Sequence, residues 1–553
     1  SCCGGRAASR FGTFVGSIVN ISGGTVGDFF DAFRGSTVNI AGGTVGNYFD
    51  AFGGSEVNIS GGSVGRFLQA FNSSEVNISG GIVGVRLQSR SGSEVNITGG
   101  SVGDSFEALS GSEVNISGGS VGAFFDAFGS STVNISGGIV GRNFGAFTGS
   151  TVNITDGVVE RDFDAFQGST VNISGGSVGD GFSAFSESTV SITGGRVGDQ
   201  FGALGGSTVS ISGGSVGDNF IANTGSAVDI SAGGVGRGFD SISGSAVNIT
   251  GGEFMLNGSA VTNIDSVGSS DIFTGVLADG STFIFTGFQD DAIAAGTTTL
   301  QTVDVAPADT TPMTVSSGIA SSKGLRAGQT LTITGDAQVR DQFDAIGGTL
   351  NIEGGGVGAD LTTLNTDTNI SGGSVGDGFE ALDGSTVALS GGGVGDSFVA
   401  NAGSTIDITG GHVGNSFVAN AGSTVDITGG RVGDQFDARD GGTVNISGGS
   451  VGRGFNANSG STVNLSGGGV GRDFDAISGS AVTISGGEFV LNGSSVSSID
   501  AVRSDDVFSG VLADGSVFIF TGIQDDAIVA GTTTLETVDV APADTTPMTV
   551  SSG

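Results

Sequence analysis

The sequence predicts an all-β fold, a parallel β-helix (β-solenoid) with about 19 residues in each three-sided rung, and three observations carry the prediction. Asn20, Asn39, Asn58, Asn77, Asn96, Asn115, Asn134, Asn153 and Asn172 recur every 19 residues, and Ser191, Ser210, Asp229 and Asn248 keep the register. Each repeat reads approximately S-T-V-N-I-S-G-G-S-V-G-D-x-F-x-A-F-x-G, a short strand pattern broken by glycine. Composition agrees: 109 Gly stand beside 4 Pro, 1 Tyr, 1 His and no Trp, while 38 Phe with many Val and Ile supply a core that a disordered chain lacks.

Within a rung, Thr37-Val38-Asn39-Ile40 alternates with period two, so Val38 and Ile40 share one face and Thr37 and Asn39 the other. Gly42-Gly43 forces a corner, Thr44-Val45 forms a second short side, and Tyr48 to Phe52 supplies a third before Gly53-Gly54 closes the turn. One rung cannot bury its own inward face. Rungs stacked about 4.8 Å apart pair in parallel and build a continuous core. The predicted core ladder is Phe30, Phe49, Phe106, Phe125, Phe144, Phe163, Phe182 and Phe201, with Leu68 and Leu87 in the same column and a small Ala two places later.

A second series runs through Thr332, Asn351, Asn369, Ala388, Asp407, Asp426, Asn445, Asn464 and Thr483, one residue short between Asn351 and Asn369. Between the series lies a module without the repeat, starting at Glu253, and a near copy starts at Glu488, 235 positions later. The resulting plan is an N-terminal segment 1–16, a first solenoid series 17–252, a β module 253–318, a second series 319–487 and a second β module 488–553. Strand signals in Thr282–Phe285, Thr299–Val303 and Met313–Val315 make each module either an enlarged continuation of the solenoid, the favoured reading, or a small interrupting β domain. Twenty-two regular rungs correspond to roughly 105 Å of stack.

Formal charge is −37, from 55 acidic and 18 basic residues, with Lys323 the one lysine. Nucleic acid and anionic membranes are therefore poor partners, because they require clustered Lys and Arg. No 18-residue apolar run predicts a transmembrane segment. Cys2 and Cys3 are the only cysteines, too close together to staple the body, and are candidates for a crosslink or a lipidation site.

In a solenoid each repeat position becomes a column, and candidate sites are sought down the columns. After each V-G, the column holding Asp180, Asp199 and Asp218 sets three carboxylates about 5 Å apart, a candidate calcium site. Against it, G-G-S-V-G-D lacks the nonapeptide spacing of calcium-loaded β-rolls, and the mixed signs elsewhere in the column read as a solvated face. A stripe of Phe33, Phe52, Phe71, Phe128, Phe147, Phe166 and Phe185 is a candidate lateral interface if exposed, or a set of rings tucked under a corner. Asn20, Asn58, Asn77, Asn96 and Asn115 head N-x-S/T sequons open to glycosylation, although an outward amide column on a solvated sheet has the same pattern. His412 stands alone, neither a P-loop nor a G-x-S-x-G elbow occurs, and the repeats lack the irregular loops that carry carboxylate pairs in polysaccharide-cleaving β-helices. No catalytic residues and no organic cofactor are expected. Ice binding is discounted, because the Thr rank is broken by Glu56, Glu75, Glu94 and Glu113.

The units ISGGSVGD and GSTVNISGG and the module stretch GVLADGSTFIF resemble the long repetitive secreted β-solenoid surface proteins of planctomycete-type bacteria, over almost the whole chain. The period is similar to that of filamentous-haemagglutinin-type adhesins. The first resemblance implies an extracellular or cell-surface location. The expected function is a structural subunit or segment of an extracellular fibre or cell-surface filament, whose partners are copies of itself joined head to tail by stacked rungs. The alternatives are a monomeric adhesin stalk presenting a binding tip to surface glycans or other cells and, more remotely, a polysaccharide-binding or polysaccharide-cleaving β-helix.

Overall fold

The computed structural model describes residues 6–7, 11–166, 168–185, 187–286, 293–319, 323–503, 505–521 and 528–540. Cys2 and Cys3 lie outside them. All regular structure among the described residues is β, so no helix there is long and apolar enough to cross a membrane. The chain divides into two units, Ser1–Ala306 and Pro307–Gly553, each with its own hydrophobic core.

Within each unit, strands pair in parallel with the strand one repeat away and in register. Val76 lies opposite Val95, Asn77 opposite Asn96 and Ile78 opposite Ile97. The 18-residue step is absorbed with Asn351 still opposite Asn369. Alternation explains the burial: in Thr37–Val45, Val38, Ile40 and Val45 are buried while Thr37 and Asn39 are half-exposed. In most pairs of nine-residue strands the register shifts at the Ser/Thr-Gly-Gly, between Ile97 and Thr98 for example, so the strand bends into two sides of the rung. The third side is the short strand around Phe49–Ala51, which belongs to a separate sheet. A column of small buried serines, Ser36, Ser55, Ser74 and Ser93 among them, closes the coil.

In the first series the second glycine of the pair is required at the bend, while the first gives way to Asp156 and Ala232 in two rungs. Gly119 adopts φ 73°, and a Cβ on it would sit 2.7 Å from the backbone of Gly99 and Gly100, one rung away.

Each module is one enlarged rung. Ala246–Leu256 overruns the usual corner and pairs antiparallel with Ser259–Ala260 and Ile272–Leu277, which forms a hairpin with Thr282–Thr286. The parallel stack then resumes, Ile293 beside Ser241 and Thr298–Thr302 on Val247–Gly251. The second copy repeats this with Val507–Leu512, Val517–Thr521, Ile528 and Thr533–Thr537. The later part of the module pairs in parallel with the solenoid strands, and its middle is an antiparallel insertion. The hairpins complete the core. Phe285 stacks on Phe239 at 4.9 Å and Phe520 on Phe474 at 4.8 Å.

The units do not separate where the repeat breaks. Pro307–Gly318 groups with the second unit, not with the module preceding it, because Met313–Val315 pairs in parallel with Leu331–Ile333. The division at Ala306/Pro307 falls inside the segment 253–318.

Candidate interaction faces

The predicted core ladder is buried. Phe30, Phe49, Phe106, Phe125, Phe144, Phe163, Phe182 and Phe201 are at most 1 % exposed, and Phe106 to Phe201 stack with centroids 4.5 to 4.8 Å apart. That spacing is the rung spacing, so backbone pairing and ring stacking impose the same repeat.

The second phenylalanine stripe lies between its two expected states. Phe52, Phe71, Phe128, Phe147, Phe166 and Phe185 are half-buried and Phe33 is 41 % exposed. Phe33 and Phe52 stack at 6.0 Å, Phe52 and Phe71 at 5.4 Å, and Phe128 to Phe185 at 4.7 to 5.0 Å. The rings fold back over the outward face of the third side. A Cβ on Gly12 would lie 2.6 Å from Phe33 Cε2, and one on Gly145 would overlap Phe147.

The outward residue two places before each ring is frequently acidic and partly shut off from water. Burial, then the neighbouring Asp31, pushes Asp50 up to about 6, against a smaller opposing pull from Arg90. Burial and Glu107 push Asp126 to about 6, burial and Asp162 do the same for Asp164, and burial alone does so for Asp240, which precedes Ile242 in place of a ring.

The Asp180, Asp199 and Asp218 carboxylates serve the backbone. Asp180 Oδ1 accepts the Asp199 N–H at 3.0 Å, Asp199 Oδ1 that of Asp218 at 3.0 Å, and Asp218 Oδ1 that of Arg237 at 2.9 Å. Arg237 also forms an ion pair with Asp218 at 3.2 Å. The same bond recurs from Asp28 to Asn47, Asp104 to Ala123 and Asp396 to Asn415. This column caps the corner of the following rung. Among the described residues no group of three or more His, Cys, Asp or Glu gathers as metal ligands.

The sequon asparagines form an amide ladder. Asn39 Nδ2 donates to Asn20 Oδ1 at 2.8 Å, and the pattern continues through Asn58, Asn77, Asn96, Asn115, Asn134, Asn153 and Asn172 at 2.8 to 3.1 Å. Each internal sequon amide therefore holds its neighbour one rung away.

A further aromatic column escaped the sequence reading. Phe29, Tyr48 and Phe67 stack at 4.9 Å with nearly parallel rings, and the Arg86 guanidinium lies 5.4 Å from the Phe67 centroid. Phe29 is 46 % and Tyr48 42 % exposed. All three aromatics have φ of 60 to 63°, a conformation that costs a non-glycine residue about 1–2 kcal/mol. The signal was available as F, Y, F, R at positions 29, 48, 67 and 86, next to the column read for charge.

No family profile and no curated protein matches this chain.

Proposed function

We propose that this chain is a structural segment of an extracellular fibre or cell-surface filament, which grows by end-to-end stacking of solenoid rungs between copies. The observation that carries this reading is the in-register parallel pairing kept through the regular rungs of each unit, in which each rung presents the edge that the next one needs. A contact between unlike ends of identical chains repeats without closing and so makes filaments. The polar columns support a non-catalytic role, since their Asn and Asp groups are spent on inter-rung bonds. The extracellular placement rests on the resemblance of the repeats to secreted surface proteins.

The stacked Phe29, Tyr48 and Phe67 stripe, whose first two rings are exposed, favours a second reading, a monomeric adhesin stalk whose aromatic face meets surface glycans or other cells. Negative-stain microscopy of the purified protein separates the two. The fibre reading expects filaments that lengthen with concentration, whereas single particles at every concentration would leave the stalk.

A further inference from the structure

The first regular strand of the second unit does not end the stack. On its outer edge lies Met313–Val315, with Met313 opposite Leu331 and Val315 opposite Ile333. Val315 packs against the core, Leu331 is 1 % exposed, and upstream the Asp309 carbonyl accepts the Gln329 side-chain amide at 3.0 Å. The strand is supplied by the tail of the first module.

The corresponding strand of the first unit is Ile18–Val26, whose Ile18–Ile21 matches Thr330–Ile333 in the repeat. Its second half has a partner, Arg6–Ala7 opposite Thr25–Val26. Among the described residues its first half has none on the outer edge. Ile18 is 69 % exposed, Val19 is only partly buried where Val38 in the next rung is fully buried, and Phe14 and Val15 beside it are largely in water.

The occupant that fits is written in the same chain. Asp304–Gly318, which contains the edge-covering strand, recurs residue for residue as Asp539–Gly553. Resting on the fibre reading above, we propose that Asp544–Val550 of one copy adds as a parallel strand to the Ile18–Ile21 edge of another copy, with Met548 opposite Val19, as Met313–Val315 does within the second unit. This is strand addition, in which backbone bonds give affinity and alternate side chains give register. The contacting stretches suit an acidic self-associating chain: Ile18–Ile21 carries no charge, and Asp544–Val550 carries only the Asp544 carboxylate at its start. Added salt therefore strengthens the contact by screening the −37 charge elsewhere.

The test is disulfide trapping in the full chain. In a Cys2→Ser, Cys3→Ser background, Val19→Cys with Met548→Cys brings two thiols to directly opposed strand positions, within bridging reach. Mild oxidation is expected to give a ladder of chain multiples on a non-reducing gel, collapsed by reductant and suppressed by excess peptide of sequence 541–553. Moving the first cysteine to the interior strand, Val38→Cys with Met548→Cys, is expected to give no ladder. Monomer only from the first pair, or equal ladders from both, overturns the proposal. Filaments that persist after deletion of 544–553 would overturn this contact and leave the fibre reading standing; absence of filaments and of crosslinks overturns both.

Discussion

A phenyl ring in the inner column touches its own kind above and below, so its removal opens a cavity that neighbours held by backbone pairing cannot collapse into. Phe144→Ala is expected to destabilise the first unit by about 3–5 kcal/mol in chemical denaturation, against about 1–2 kcal/mol for Asn115→Ala, which breaks one rung of the amide ladder. The outward carboxyls act in the opposite sense to ordinary surface acids. Asp50, Asp126, Asp164 and Asp240 titrate near 6 in the folded chain and near the usual value of about 3.9 when unfolded. Between those values the folded state holds more protons than the unfolded one. Stability therefore rises as pH falls from about 6 to about 4, and is lost as pH climbs back through 6. A higher Tm at pH 5 than at pH 7, with the difference reduced in Asp126→Asn, is the expected result; a Tm that falls over this interval would count against it. The inner ladder was legible because core selection writes large apolar residues at a fixed interval. The raised carboxyls were not, since the sequence places Asp126 outward but does not show the Phe128 stripe folding back over that column.

At the scale of the element, the rung was readable and the module only in part. Period-two alternation and Gly-Gly corners specify three sides. The hairpin Ile272–Leu277/Thr282–Thr286 has strand signals but nothing local that states its direction, and antiparallel pairing follows from the two-residue overrun of Ala246–Leu256 past the corner. The hairpin depends on one small residue, because a Cβ on Gly275 would meet both Phe254 and Phe283 at 2.7 Å. Gly275→Ala is therefore expected to unseat the hairpin and speed proteolysis of the first unit alone, and Gly510→Ala to do the same to the second. Equal resistance to protease in both variants would contradict the plugging role of Phe285 and Phe520. The corner column makes a separate prediction. Asp180 and Asp199 already cap backbone N–H groups, so chelation of calcium is expected to leave Tm unchanged. A fall of several degrees would restore a bridging ion at Asp180, Asp199 and Asp218.

For the whole molecule, the structure divides the chain into two units at Ala306/Pro307. Met313–Val315 sits outside the 19-residue register while serving as the first strand of the unit that follows. A fragment 307–553 is accordingly expected to unfold at a higher temperature than 319–553, which lacks that strand; identical Tm values would remove the strand from the account. The central claim is that rung stacking crosses molecular boundaries. Fibre diffraction from oriented filaments of the full chain tests it most directly: the account predicts a meridional reflection near 4.8 Å, from strands perpendicular to the filament axis. A 4.8 Å reflection off the meridian, or filaments without one, would contradict it.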